Sequence, residues 1–279
     1  MTASSPARSL HRLWVRHGPW WLAWQAALTL VTVWLVGTFL IRALSWIFFD
    51  ARWGAVTGNL RLFAVGSFPN GPLGGLALAF VLAAGAIALA FPFGVLLALG
   101  RRSGLPLVKG IAVGYIELMR GAPLVTVLYM VSILVPLAMP GAIQPSDIMR
   151  AIAGLALFTA AYIAEDVRGG LAAIGTGQYE AARALGLGPV RMYRHVILPQ
   201  ALRVAVPALA GEFISLFKNT ALVIFLGLRE LLGIARAVAN QPEFLGTYRE
   251  TYAFVALVFF VVSYIFSRAS RRLEEKRTA

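Results

Sequence analysis

The chain has 279 residues, of which 59% are hydrophobic and only 13% charged, with a formal net charge of +13. That is about half the charged share of a soluble domain, and a water-exposed surface cannot hide so much apolar area, so composition excludes an ordinary globular domain and points to a bilayer. Cysteine is absent, which excludes disulfides and thiolate metal sites, and the three histidines, His11, His17 and His195, all lie outside the apolar runs.

The first run without an ionisable side chain covers residues 18–41. It follows Arg8, Arg12 and Arg16, as a secretory signal would. Its apolar stretch exceeds the usual ~7–15 residues and no small-residue cleavage site follows, so an uncleaved anchor is expected. The second run, 70–100, is long enough for the ~20 residues a membrane-spanning helix needs. Further runs at 110–138, 149–166, 203–228 and 251–267 bring the expected total to six spans.

Ionisable residues inside such spans are costly in hydrocarbon and are functional candidates for that reason. Glu117 and Arg120 stand at i and i+3 in the third span, a spacing that lets them pair along one helix face. Gly121 and Pro123 follow and predict a kink. Glu165 and Asp166 close the fourth span beside Arg168, where a structural ion pair is the expected reading. Glu212, Lys218 and Asn219 interrupt the fifth; Glu212 and Lys218 are six apart, so they face different partners. Glu117, Arg120, Lys218 and Asn219 are the candidates for a substrate pathway.

Between the fourth and fifth spans lies GTGQYEAARALGLGPVRMYRHVILP, residues 175–199. Local signals predict two short helices: Thr176 caps the first, Gly186 and Gly188 end it in a left-handed conformation, Pro189 opens the second and Pro199 closes it. Ala181, Ala182, Leu185 and Leu187 supply a small apolar contact face. Two readings stand: a basic loop lying on anionic headgroups as a topology signal, or a platform on which another protein docks. The alanine cluster and Gly186 weigh toward the platform. The last span ends in the charged tail SRASRRLEEKR.

The basic charge follows the spans rather than forming a nucleic-acid face. With six crossings and a cytoplasmic N-terminus, sixteen Lys and Arg fall on the cytoplasmic side against six on the other. That bias predicts both termini, and the 175–199 loop, to be cytoplasmic.

Glu180-Ala181-Ala182, then Gly186, then Val196-Ile197-Leu198-Pro199 resembles the EAA signature of ABC importer permeases, with valine at 196 where that family carries isoleucine. YIELMRGAPLV (115–125), AYIAEDVRGGL (161–171), VILPQALRVAVPAL (196–209) and FISLFKNTALV (213–223) are similar to its polar amino-acid uptake branch, and QPEFLGTYRETYAFVALVFF to the general L-amino-acid permeases. The resemblance covers about residues 70–270. It implies an all-α polytopic bundle of the type I ABC importer permease fold, with 1–73 as N-terminal tail, first helix and external segment, 74–270 as the permease domain containing the loop 176–199, and 271–279 as a cytoplasmic tail. It implies a non-enzymatic subunit moving amino acids across a bacterial inner membrane. Glu180, Ala181, Ala182, Gly186, Leu187, Arg191 and Pro199 would couple to a dimeric ATPase, which alone binds ATP and Mg. A second permease subunit, identical or homologous, and a periplasmic or extracellular amino-acid-binding protein complete the implied partners. In that branch the position of Asn219 is commonly aspartate, so the neutral amide here leaves the choice of amino acid open. The chain has no Gly-Lys pair and hence no phosphate-binding loop of its own. Against this stand a self-contained secondary transporter or channel, for which internal repeats are wanting, and an intramembrane enzyme, which the histidine census disfavours.

Overall fold

The computed structural model describes residues 6–68, 70–139 and 144–278. All regular elements among them are helical. The chain divides between Trp53 and Gly54 into two compact units.

The first unit is helix α1 (Pro6–Ser45), prolonged by a π-helical turn, Trp46–Asp50. Its apolar window, Ala23–Asp50, has none of its residues buried. The hydroxyls of Thr29, Thr32 and Thr38 donate to the carbonyls of Gln25, Leu28 and Trp34, one turn back, at 2.8, 2.8 and 2.9 Å. These three hydroxyls are therefore satisfied within the helix, as lipid demands.

The second unit carries α2 (Gly54–Thr57), α3 (Leu60–Val65), α4 (Gly75–Arg101), α5 (Pro106–Gly121), α6 (Leu124–Ala138), α7 (Asp147–Ala172), α8 (Thr176–Ala184), α9 (Pro189–Met192), α10 (Leu198–Asn219), α11 (Leu231–Ala239) and α12 (Tyr248–Thr278). A π turn, Tyr193–Ile197, joins α9 to α10, and a 3-10 segment, Thr220–Leu226, prolongs α10. The core is built where α4 meets α7. Ala86, Ala90 and Ala98 of α4 and Ala151, Ala160 and Ala164 of α7 are buried, and such small side chains let helix backbones approach in a membrane. At Gly94 an added Cβ would lie 2.6 Å from Ile163 Cγ2 and 2.9 Å from the Ala160 carbonyl oxygen. Hydrogen is the only side chain that fits there.

The third expected span is not one helix. Helices α5 and α6 meet at 111° across Ala122 and Pro123. Ala122 is extended (φ −90°, ψ 142°), the conformation a following proline imposes. Helix α6 runs antiparallel to α7, with Leu128 against Gly154 and the Arg150 guanidinium donating to the Ser132 carbonyl at 3.0 Å. Helix α5 must therefore lie across the bundle rather than along it. Five single helices are long and apolar enough to cross a membrane, and the bent pair makes up to six.

At the end of the bundle where α4 begins, Gly75 has φ +59° and a Cβ on it would meet the Phe63 carbonyl oxygen at 2.3 Å. Its amide donates to the Arg229 carbonyl at 2.9 Å, tying α4 to the segment before α11. There Glu230, fully buried, caps α11 by accepting from the Leu232 and Gly233 amides at 2.9 and 3.0 Å.

Candidate functional site

The opposite end of the bundle holds the 176–199 platform, with Arg101, Arg102, Arg120 and Arg168 close by. Helix α8 ends as its glycine predicts. Gly186 has φ +72°, its amide donates to the Arg183 carbonyl at 2.9 Å, and the Leu187 amide donates to the Ala182 carbonyl at 3.1 Å. This is the left-handed helix stop with both terminal carbonyls satisfied. Gly188 is different: its φ is −64°, and it precedes Pro189 as the N-cap residue of α9. Thr176 is the first residue of α8 rather than its cap; Gly175 takes the cap position and no side chain caps the helix.

Pro199 does not close the second helix. Residues 189–219 run on without a break through the π turn, whose wider ring carries the Leu198 amide to the Tyr193 carbonyl. A proline lacks the amide for the ordinary bond and crowds the carbonyl four residues back, and a π turn relieves both. The Gln200 side chain then donates through Nε2 to the Val196 carbonyl at 2.9 Å and to Gln178 Oε1 at 3.0 Å, stitching α10 to α8.

A second stitch comes from α4. Arg102 donates to the Leu171 carbonyl at 3.0 Å and to the Tyr179 hydroxyl at 3.2 Å, with its guanidinium 5.8 Å from the Tyr179 ring centroid. The Tyr179 and Tyr193 rings meet edge to face at 6.2 Å. The platform is thus tied to α10 through Gln200 and to the end of α4 through Arg102, which also bonds the end of α7.

The expected apolar contact face splits in two. Ala182 is 2% exposed and Leu187 packs against the core, so both anchor the platform from below. Ala181 is exposed, and Leu185 and Val190 are each 79% exposed beside Glu180, Arg183 and Arg191. Leu185 and Val190 thus stand as exposed apolar side chains among charged ones. A cavity of about 850 Å³, lined by Arg102, Tyr179, Glu180, Arg183 and Tyr193 among others, opens in the same region.

Next to the platform, Glu165 gathers the charges that the spans carry. Its Oε1 lies 2.5 Å from Arg101 Nη1, and its Oε2 lies 3.0 Å from Arg168 Nε and 3.7 Å from Arg120 Nη1. Glu117 sits 3.7 Å from Arg101. Glu117 and Arg120 therefore do not pair with each other; each takes a partner outside its own helix, because the crossing of α4, α5 and α7 brings better ones. Arg120 also lies 5.7 Å from the Tyr162 ring centroid. The reading of Glu165 beside Arg168 as a structural pair holds, but its reach to Arg101 and Arg120 had no signal in the sequence beyond the Arg101-Arg102 dipeptide.

The other two pathway candidates lie elsewhere. Lys218 is exposed and Asn219 half-buried, where α10 passes into its 3-10 segment. Lys218 makes no ion pair among the described residues. The four candidates thus form two separate groups. Among the described residues no cluster of His, Asp or Glu is arranged to hold a metal ion.

Residues 90–279 match the family described as binding-protein-dependent transport system inner membrane component. The chain is 43% identical over 237 residues to BztC, a glutamate/glutamine/aspartate/asparagine transport system permease protein of Rhodobacter capsulatus, covering 85% of this chain and 55% of that one. It is 45% identical over 203 residues to YhdY, an inner membrane amino-acid ABC transporter permease protein of Escherichia coli, covering 73% and 55%. The chain thus spans about half the length of both relatives. Its fold is shared with an amino acid ABC transporter chain solved with histidines, at 30% identity and a TM-score of 0.64, over 72% of this chain and 91% of that one.

Proposed function

Because the chain belongs to the family of inner membrane components of binding-protein-dependent transport systems, we propose that it is the permease subunit of an ATP-driven amino-acid importer and that residues 176–199 dock the ATPase. The observation that carries this reading is the platform itself: a folded surface with exposed Leu185 and Val190, clamped through Arg102 and Gln200 to the spans it would move. A mere topology signal needs arginines but no such clamp. ATP and Mg belong to the partner subunit, and the permease supplies the pathway with a second permease chain. A binding protein delivers substrate on the far side, and the 176–199 platform and both termini are cytoplasmic, as the charge bias favours.

The relatives' names point to amino acids with carboxylate or amide side chains, and Lys218, a cation without an ion-pair partner inside a span, suits an anionic group on the substrate. Glu117 and Arg120 serve the ion-pair network that holds α4, α5 and α7 in one arrangement.

The chain's lack of cysteine makes the docking testable. A single cysteine at Ala181 or Leu185 should crosslink to one in the ATPase surface within the assembled transporter, whereas one at buried Ala182 should react only after unfolding. Failure of every pair built on 181, 185 and 190 in a complex active in transport overturns the docking.

A further inference from the structure

A second basic site lies beside the platform, on the side where α5 crosses the bundle. A cavity of about 480 Å³ is lined by Arg101, Arg102, Lys109, Val113, Arg168 and Ala172. Four cations face one space, and their compensation is unequal. Arg101 and Arg168 share the carboxylate of Glu165, and Arg101 also has Glu117 within 3.7 Å. Arg102 donates only to a carbonyl and a phenol, neither of them charged. Lys109 is exposed and has no ion-pair partner among the described residues. Two of the four positive charges lining this cavity therefore have no carboxylate partner, and about 480 Å³ is room for a phosphate-sized group.

The surroundings say what kind of anion. Helix α5 carries Lys109 and Val113 one turn apart toward the cavity. At 100° per residue, Leu107 and Ile111 fall on its opposite side, and they are 76% and 63% exposed; Leu105, in the turn before the helix, is 65% exposed. A helix that lies across the bundle, basic on one side and apolar on the other, sits at a boundary between headgroups and hydrocarbon. The lysine stem reaches along such a boundary with its ammonium on the wet side.

We propose that this cavity binds a phosphate-bearing anion, and that its source is an anionic phospholipid whose headgroup meets Arg102 and Lys109 while its acyl chains lie along the exposed Leu105, Leu107 and Ile111. The site fastens the crosswise α5, and with it the Glu165 network, to the bilayer. It stands on the geometry of this chain and holds whichever partner the platform docks.

The test uses the full chain with whatever subunits copurify, stripped of lipid in detergent and titrated with phosphatidylglycerol or with phosphatidylcholine of the same acyl chains. Bound lipid is counted by native mass spectrometry. One phosphatidylglycerol per chain should be retained in preference to phosphatidylcholine. Lys109→Gln should weaken that retention about fivefold, one basic residue near an anionic surface contributing about a kcal/mol, and Lys109→Arg should preserve it. Because Lys109 is exposed and unbonded, the variant should melt as the wild type does, which separates lost binding from lost folding. Equal retention of the two lipids, or retention unmoved by Lys109→Gln, overturns the proposal. If inorganic phosphate at millimolar concentration displaces the phosphatidylglycerol and protects against heat just as well, the ligand is the free oxyanion and the lipid assignment falls. Loss of a copurifying subunit in Lys109→Gln with lipid retention intact would make the cavity a protein contact and likewise overturn it.

Discussion

Helices α1 and α4 look alike in the sequence: each holds a run of more than twenty residues without an ionisable side chain. In the structure they differ. None of the apolar window of α1 is buried, whereas a third of that of α4 is. What separates them is side-chain size. Helix α4 repeats alanine and glycine toward α7, from Ala86 through Ala90 and Gly94 to Ala98, while α1 carries tryptophan, leucine and valine around its whole circumference. Hydrophobicity decides that a helix enters the bilayer; small residues decide whether it packs there.

The sharpest way to break that comparison is to insert bulk at one glycine in each helix. Gly94→Leu must push Ile163 and the Ala160 carbonyl aside. Overpacking of this kind costs about 1–3 kcal/mol, and more where backbone blocks the way. The expected result is a large fall in the detergent-solubilised melting temperature and in membrane abundance. Gly37→Leu in α1 meets nothing within 4 Å and should leave both unchanged. Equal losses in the two variants would show that size does not distinguish the helices.

Much of this was readable in advance, for definite reasons. Hydropathy located five of the six expected spans as single helices, because lipid selects on composition, and the third resolved into the bent pair α5 and α6. Gly186 stopped α8 as expected because a left-handed stop depends on one residue. Expectations that weighed local rules against tertiary partners fared worse. The i,i+3 spacing of Glu117 and Arg120 promised a pair worth a few tenths of a kcal/mol in an isolated helix, and Arg101 and Glu165 outbid it once the helices crossed. Pro123 signalled a kink, but nothing local could set the bend at 111°. Pro199 reads as a stop in the sequence because a π turn has no sequence signature of its own.

The end of α4 supplies the next test. Glu165 is 16% exposed at its side chain and faces three arginines. Glu165→Gln leaves Arg101, Arg120 and Arg168 in mutual repulsion. Breaking a well-buried ion pair from one side costs about 3–5 kcal/mol, and the partial exposure of the arginines here lowers that to about 2 kcal/mol. The melting temperature should fall, less than in Gly94→Leu, and 1 M salt should recover part of the loss by screening the arginines. No counterpart to this network exists on α1 among the described residues, so salt should leave Gly37→Leu where it was.

Where α4 begins, the buried Glu230 adds a pH dependence. Burial pushes its carboxyl up from 4.5 to about 7, against the opposing pull of the Leu232 and Gly233 amides. An acid whose folded value lies above its unfolded one holds its proton in the folded state at pH values where the unfolded chain has released it. Stability is therefore greatest below about 4.5 and declines as pH rises toward 7, levelling off above that. Glu230→Gln keeps an acceptor for the α11 cap and removes the proton, so its melting temperature should be flat across the window in which the wild type falls. A wild type that gains stability from pH 5 to 7 would reverse the sign and remove the burial argument.

The smallest effect is expected in α1. Thr32 donates its hydroxyl to the Leu28 carbonyl, an acceptor already engaged in the helix. Thr32→Val keeps the branched shape and removes only this extra bond. A hydroxyl bonded within its own helix gives the helix little, since the carbonyl stays paired, and i−4 back-bonding even weakens a helix slightly. The change in stability should lie within about 0.5 kcal/mol, the range of substitutions that touch no packed feature. The outcome is informative because a packed helix would respond otherwise. If α1 were buried against protein, a threonine at 32 would touch a neighbour, and valine would shift stability or copurification of a partner subunit by a measurable amount. A Thr32→Val chain that melts and copurifies as the wild type does shows that the side chain at 32 has no packed neighbour. A clear loss in either measurement would give it a protein neighbour and end the contrast with α4.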